Sequence, residues 1–67
     1  MKPRLCIVIP VLDEAATIAA TLRSLQDLRR RGACVVVVDG GSADATPALA
    51  APLADRVLTA PRGRASQ

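Results

Sequence analysis

Two segments that carry carboxylates lie where a parallel sheet would bind a ligand. Asp39 ends a run of four valines and is followed by Gly40 and Gly41, so the backbone beside its carboxylate can approach a ligand closely. Asp13 and Glu14 come after the first apolar run in the same way. Ligands of open parallel sheets bind at the carboxyl ends of the strands. Carboxylates there would accept hydrogen bonds from ribose hydroxyls or a base N–H and would repel a pyrophosphate, and we expect Asp39 to contact the ligand.

Each of these residues also has a purely structural interpretation. Glu14 could balance the dipole at the start of a helix, which explains its position as well as ligand contact does. Gly40 and Gly41 could act only as turn formers. Ser42 and Asp44 could cap the helix that follows them. The residue types alone leave both interpretations open.

The elements that must position these segments follow from the hydrophobic pattern. Residues 5–9 form a short apolar run that ends at Pro10 and predicts a strand covered on both faces. Residues 14–31 carry leucine and isoleucine at steps of three and four, which predicts one amphipathic helix. Asp13 is the expected N-cap of this helix and Gly32 its C-terminal stop.

The rest of the chain predicts a second, similar unit. After the first helix we expect a second buried strand at 34–38. A short helix should follow, which begins within residues 44–46, has Pro47 in its first turn and is interrupted at Pro52. We then expect a weaker strand at 56–59, a loop at 60–64 and the start of a further helix at 65–67. Strands joined by helices predict parallel pairing with right-handed crossovers. The fold class is therefore α/β: a β-α-β-α-β half of a Rossmann-like parallel sheet. Its uncovered edges and face predict one truncated domain over residues 1–67.

Composition and charge narrow the possible partners. The chain has no Phe, Tyr or Trp, so it lacks the aromatic faces on which single-stranded nucleic acids stack. The net charge of +3 includes the cluster at residues 29–31. We interpret this cluster as a solvated helix end near the negative pole of the helix dipole, with nucleic-acid binding as the less favoured alternative. No nucleic-acid partner is therefore expected.

The two cysteines and the N-terminal segment bear on location. Cys6 and Cys34 lie inside apolar runs without further Cys or His at metal-ligand spacing, so we expect buried, reduced thiols, with a disulfide as the less favoured alternative, and a cytoplasmic protein. The first apolar stretch is interrupted by Pro10 and Asp13, which excludes a signal peptide or membrane span there. Membrane association would require parts outside this chain.

Two longer motifs resemble the opening of family 2, GT-A-type glycosyltransferases. Residues 7–14 read Ile-Val-Ile-Pro-Val-Leu-Asp-Glu, and residues 37–46 read Val-Val-Asp-Gly-Gly-Ser-Ala-Asp-Ala-Thr. They are similar, in sequence and spacing, to the V-I-P-x-x-N-E and D-[DG]-G-S-x-D-x-T motifs of that family. Two positions depart from the pattern. Asp13 stands where the family more often has asparagine, and Gly40 replaces the second acid of the commoner form.

The resemblance implies a role for each matching residue. Glu14 and the turn at Pro10 would line the nucleotide pocket, Asp39 would hydrogen-bond the base, usually uracil, and Ser42 with Asp44 would shape the second segment. A cation in the loop at residues 62–64 would lie near the base or phosphate and offset diphosphate charge. The residues assigned to nucleotide binding are Pro10, Glu14, Asp39, Gly41, Ser42 and Arg64.

The resemblance also implies an activity and its requirements. Family members transfer a sugar from a nucleotide-sugar donor, here expected to be UDP-linked, to an acceptor that the sequence does not identify. The complete enzyme would use Mg²⁺ or Mn²⁺, held by a D-x-D motif, and a catalytic base, both downstream of the matched region. The chain contains no D-x-D. We therefore assign it no catalytic or metal-binding residue and expect it to be inactive alone.

Three alternatives remain at this stage. The chain could be a truncated product without catalytic function. It could be a phosphoacceptor receiver domain, although such domains need a lysine on a later strand and this chain has none after Lys2. It could be a methyltransferase, although there the glycine loop follows the first strand and the acid the second, the reverse of the order seen here.

Overall fold

Three parallel strands form one sheet in the order β1-β2-β3. The structure is a computed structural model and describes residues 5–60. Its elements are β1 (Cys6–Val11), α1 (Ile18–Arg23), α2 (Gln26–Arg30), β2 (Cys34–Asp39), α3 (Thr46–Ala50), a 3₁₀ turn (Ala51–Leu53) and β3 (Arg56–Thr59). The predicted α/β half-sheet is confirmed, and β3 has the predicted bounds. The loop and helix predicted beyond residue 60 lie outside the described residues.

β1 is an outer strand of the described sheet, and it is longer than predicted. The strand continues through Pro10, which lies opposite Val38, and ends at Val11. The carbonyl oxygen of Val11 accepts the N–H of Gly40 at 2.9 Å, so it points towards β2. Because backbone groups alternate in direction along a strand, the backbone nitrogen of Pro10 points to the free edge of the sheet. Its missing N–H therefore breaks no sheet hydrogen bond, which is why proline did not end the strand.

Only one face of the sheet is covered in the described residues, so the prediction that β1 is buried on both faces is wrong. Right-handed crossovers in the order β1-β2-β3 place both connections on the same side. The buried core on that side consists of Val11, Ile18, Leu22, Val35, Val37, Ala50 and Ala54. On the opposite side Val8 is 61% exposed and Leu58 is 41% exposed. We call this opposite side the uncovered face.

The single helix predicted over residues 14–31 is wrong: a turn at Ser24 and Leu25 separates α1 from α2. The carbonyl oxygen of Leu22 accepts the N–H of Leu25 at 3.0 Å, a three-residue bond that tightens the chain. It also accepts the side-chain Nε2 of Gln26 at 2.9 Å, and the same Nε2 donates to Leu53 O at 2.8 Å. The helix is therefore interrupted where the Gln26 side chain bonds to the backbone, and hydrophobic periodicity cannot reveal such a bond.

The predicted helix boundaries have mixed outcomes. Asp13 is not the N-cap of α1, because the cap position is Thr17 and no side chain caps it. Asp13 instead adopts a φ of 50° in the preceding loop. Gly32 has a φ of 102° and ends α2 as predicted. Pro47 lies in the first turn of α3, also as predicted.

Cys6 and Cys34 form a disulfide, so the prediction of reduced thiols is wrong. The two residues are register partners on β1 and β2, with their Cα atoms 4.6 Å apart. Two side chains at paired positions of neighbouring strands lie on the same face and within bonding reach. The sequence shows both apolar runs but not their register, and the disulfide depends on the register. One of the arguments for a cytoplasmic location is thereby removed.

The arginine cluster is less uniform than a solvated helix end. Arg30 and Arg31 are exposed and reach the carboxylate of Asp27 at 3.7 and 3.3 Å. Arg29 is half-buried and pairs with Asp55, with its Nε 3.1 Å from Oδ2. Two of the three arginines are therefore solvated, as predicted, whereas Arg29 is only partly so. Within residues 5–60, no helix has the length and apolar character needed to cross a membrane.

Candidate functional site

Two loops meet at the carboxyl ends of β1 and β2. The first loop (residues 12–17) leaves β1, and the second loop (residues 40–45) leaves β2. Val11 and Asp39, the last residues of the two strands, are register partners. The Gly40 N–H donates to the carbonyl oxygen of Val11 at 2.9 Å and extends the pairing by one step. The loops therefore start side by side, at the edge of the sheet where ligands of this architecture bind.

Asp39 is the buried acid at the base of the second loop, with 2% of its surface exposed. It lies on the helix-covered face of β2, in phase with Val35 and Val37. Its Oδ2 accepts the N–H groups of Gly41 at 3.0 Å and Ser42 at 2.9 Å. Its Oδ1 accepts the hydroxyl of Ser42 at 2.5 Å. The carboxylate therefore organises its own loop and is covered by it.

The charge of Asp39 is stabilised by the same contacts. The Ser42 hydroxyl is the main cause that lowers the pKa of Asp39, and the N–H groups of Ser42 and Gly41 lower it further. Burial and the charge of Asp44 oppose the shift without reversing it. Asp39 is therefore ionised at neutral pH, and a buried negative charge lies beneath the second loop.

The two glycine positions of the second loop differ in whether their backbone conformation requires glycine. Gly41 has a φ of 101°, a conformation that residues with a Cβ adopt only with strain. A Cβ on Gly40 would meet Val11 O at 3.5 Å and Leu12 Cδ1 at 3.9 Å, which are ordinary contacts. Gly41 is therefore required by the turn, whereas neither space nor a positive φ requires glycine at position 40.

Side chains from the second loop and from the start of α3 hold the first loop in place. Three successive N–H groups donate to three alternate side chains: Asp13 N to Ser42 Oγ at 2.8 Å, Glu14 N to Thr46 Oγ1 at 2.8 Å and Ala15 N to Asp44 Oδ2 at 3.2 Å. One bond returns, from the N–H of Ala43 to Asp13 Oδ1 at 2.7 Å. The two loops therefore form one hydrogen-bonded unit.

Asp44 and Thr46 link this unit to α3. Asp44 Oδ1 accepts the N–H of Thr46 at 2.9 Å and also the Thr46 hydroxyl. The Thr46 hydroxyl is the main cause that lowers the pKa of Asp44, followed by the Thr46 N–H, while partial desolvation opposes the shift. Asp44 thus accepts a backbone N–H at the start of α3, but it is not the predicted cap of this helix: the N-cap is Ala45, and no side chain caps it. Thr46 is fully buried, and sequence reasoning assigned it no role.

The motifs at these two loops now have an independent match. The sequence profile of the family described as Glycosyl transferase family 2 matches residues 6–66. The chain belongs to glycosyl transferase family 2. The predicted resemblance is thereby confirmed, and the receiver and methyltransferase alternatives lose their support. Comparison with curated proteins and with solved structures gives no significant match.

The structure brings most of the predicted nucleotide residues of this family 2 chain together. Glu14 is exposed in the first loop, and Gly41 and Ser42 are half-buried in the second, above the buried Asp39. Pro10 lies at the free edge of β1, exposed on the uncovered face. Arg64, which was expected near the base or phosphate, lies outside the described residues. These assignments stay predictions, but four of the residues share one rim.

The described residues do not form a binding site for the divalent metal ion that the family resemblance implies. Between residues 5 and 60, no three side chains of the types His, Cys, Asp or Glu are grouped so that they could hold a metal ion. The carboxylate oxygens of Asp39 and Asp44 accept hydrogen bonds from N–H and hydroxyl groups of the loops. We therefore derive no metal-dependent step from these residues.

Proposed function

We propose that this chain forms part of the pocket for the donor nucleotide, and that the nucleotide is UDP. Membership of glycosyl transferase family 2 indicates transfer of a sugar from a nucleotide-sugar donor to an acceptor. The observation that carries the proposal is the hydrogen-bonded pair of loops at the carboxyl ends of β1 and β2, built over the ionised Asp39. Parallel sheets bind nucleotides at this edge.

The charges at the rim suit the nucleoside better than the diphosphate. Asp13, Glu14 and Asp44 are exposed there, and Asp39 adds a buried negative charge. Carboxylates accept hydrogen bonds from ribose hydroxyls and from a base N–H. A diphosphate would need a cation, and we propose Arg64 for that role.

Within this pocket we propose distinct contributions from the two loops. Glu14 presents an exposed carboxylate, which can accept a hydrogen bond from the ribose. Gly40 and Gly41 present backbone without side chains, so a base can approach closely. In the described conformation Asp39 supports that backbone from below. Direct contact between Asp39 and the base would require its surroundings to move, because Asp39 is only 2% exposed.

The remaining expectations are also proposals. The Mg²⁺ or Mn²⁺ ion and the catalytic base of the complete enzyme would come from parts outside this chain, so the chain alone would not transfer sugar. A cytoplasmic location stays a prediction.

Titration calorimetry of the protein with UDP tests the proposal. We expect saturable binding, at least about tenfold weaker in Asp39→Asn, because the loop loses hydrogen bonds to a charged acceptor. Asp27→Asn is the matched control, since Asp27 is an exposed acid on α2 away from the rim. No saturable binding of UDP would reject the proposed nucleotide. Equal affinity of the protein and Asp39→Asn would reject the assignment of Asp39.

A further inference from the structure

The loop that leads into α1 is held by a distant part of the chain. The carbonyl oxygen of Glu14 accepts the N–H groups of Thr17 at 3.0 Å and Ile18 at 2.8 Å, so a hydrogen-bonded turn leads from residue 14 into the start of α1. The N–H groups at such a start have no partner within their own helix. Here their acceptors are side chains 29 to 32 positions further along the chain. The conformation of the first loop therefore depends on the second loop and α3.

Thr46 is the fully buried member of this set, with 0% of its surface exposed. Its Oγ1 accepts the N–H of Glu14 at 2.8 Å, and its hydroxyl hydrogen is directed to Asp44 Oδ1. Asp44 in turn accepts the N–H of Ala15 at 3.2 Å. One hydroxyl thus fixes the backbone of the first loop directly and also orients a second acceptor for it. A ligand at the rim cannot touch this hydroxyl, because it has no exposed surface.

We propose that Thr46 is a positioning residue of the nucleotide site. The ligand part of this inference rests on the proposed function. Thr46 holds the Glu14 backbone against the second loop, so Glu14 and the Gly40-Gly41 backbone form one surface before the nucleotide arrives. A surface ordered in advance avoids the entropy cost of ordering it on binding. Loss of the Thr46 hydroxyl therefore weakens nucleotide binding without removing a ligand contact.

Two substitutions separate the hydroxyl from the shape of the side chain. Thr46→Val keeps the branched shape but leaves the Glu14 N–H without its acceptor and removes the hydroxyl that donates to Asp44. Thr46→Ser keeps the hydroxyl and loses the methyl group. We expect Thr46→Val to weaken UDP binding by up to about tenfold, the equivalent of one lost hydrogen bond. We expect Thr46→Ser to recover affinity to within about twofold of the unaltered protein. Failure of serine to rescue binding would overturn the proposal.

A stability control distinguishes positioning from general destabilisation. Val35 is fully buried in the amino-terminal half of β2, away from the loops, so Val35→Ala lowers stability without touching the site. At a temperature where both variants are folded, we expect Val35→Ala to bind UDP as the unaltered protein does. If Val35→Ala weakens UDP binding as much as Thr46→Val, Thr46 acts only through stability and the proposal is wrong.

Amide hydrogen exchange at Glu14 tests the same inference without a nucleotide. We expect this amide to exchange at least about fivefold faster in Thr46→Val and at the original rate in Thr46→Ser. Unchanged exchange in Thr46→Val would overturn the positioning role even if UDP binds. If the unaltered protein does not bind UDP, the proposed function fails, and with it the ligand part of this inference. Exchange at Glu14 then still decides whether Thr46 holds the loop.

Discussion

At the scale of single residues, Asp39 and Ser42 determine the shape of the second loop. Asp39 accepts hydrogen bonds from two N–H groups and one hydroxyl group. Ser42 supplies one of these N–H groups and the hydroxyl. Ser42 Oγ also accepts the N–H of Asp13 at 2.8 Å. Ser42 therefore links the second loop to the first loop by hydrogen bonds. The contacts by which Ser42 supports the two loops are also the contacts that hold it at the candidate site.

The ionised state of Asp39 predicts a loss of stability in acid. The pKa of Asp39 in the folded protein lies below the usual 3.8, so the folded state binds fewer protons than the unfolded state near that pH. The stabilisation is therefore present above 3.8 and is lost as the pH falls through the lower, folded-state pKa. Asp44 adds a smaller contribution of the same sign, because it is exposed to solvent. Urea unfolding at a series of pH values between about 2 and 6 measures the effect.

Asp39→Asn should flatten this acid dependence, since the substituted side chain does not titrate. A slope in Asp39→Asn as steep as in the unaltered protein would mean that Asp39 does not carry the acid sensitivity.

The sequence predicted part of this residue-scale arrangement. Asp39 is predicted at the site because it ends a strand and is followed by two glycines, whereas the prediction for Ser42 rests on the resemblance to the family. That Asp39 lies beneath the helices, in phase with Val35 and Val37, depends on which face of the sheet the crossovers cover. Thr46 was missed because its partner Glu14 is 32 positions away. A pattern in one segment cannot show an acceptor that another segment supplies.

At the scale of elements, α2 is attached to the sheet by one polar cluster at the end opposite the loops. Asp55 lies just before β3, and its Oδ2 accepts the N–H of Val35 at 2.6 Å and Arg29 Nε at 3.1 Å. Arg29 Nη1 also donates to Gln26 Oε1 at 2.9 Å. One carboxylate therefore connects α2, β2 and β3. The hydrophobic pattern predicted β2 and β3, and it predicted α2 only as the end of one longer helix; it did not show the side chain that joins them.

A double-mutant cycle on Arg29 and Asp55 should reveal this connection. The side chains are 25% and 28% exposed, so solvent screens the pair only in part. We expect Arg29→Ala and Asp55→Ala to be coupled by about 1 kcal/mol in the free energy of unfolding. The exposed pair of Arg31 and Asp27 is the control, with an expected coupling below about 0.5 kcal/mol. Equal coupling in both pairs would contradict the structural role of Asp55.

At the scale of the whole molecule, the described chain is a sheet with helices on one face. The uncovered face exposes Val8, Leu58 and the half-buried Val36 and Val38 between them. A chain of about this size buries only about 60% of the surface that its unfolded form exposes, so its stability is marginal. The predicted half-sheet implied one uncovered face, although the apolar pattern of β1 alone predicted a strand covered on both faces. It favoured free thiols over a disulfide between the strands, because the disulfide depends on the strand register.

The disulfide between Cys6 and Cys34 should supply a large share of the stability. It joins residues 28 positions apart, and closing a loop of this length in the unfolded chain stabilises the fold by about 3 to 4 kcal/mol. We therefore expect a reductant to lower the free energy of unfolding by about that amount in urea titrations. The variant with Cys6→Ser and Cys34→Ser should match the reduced protein and not respond to reductant. Mass spectrometry after alkylation identifies the starting state. If both cysteines are alkylated without prior reduction, the thiols are free, and the stability of the fold rests on its core and hydrogen bonds.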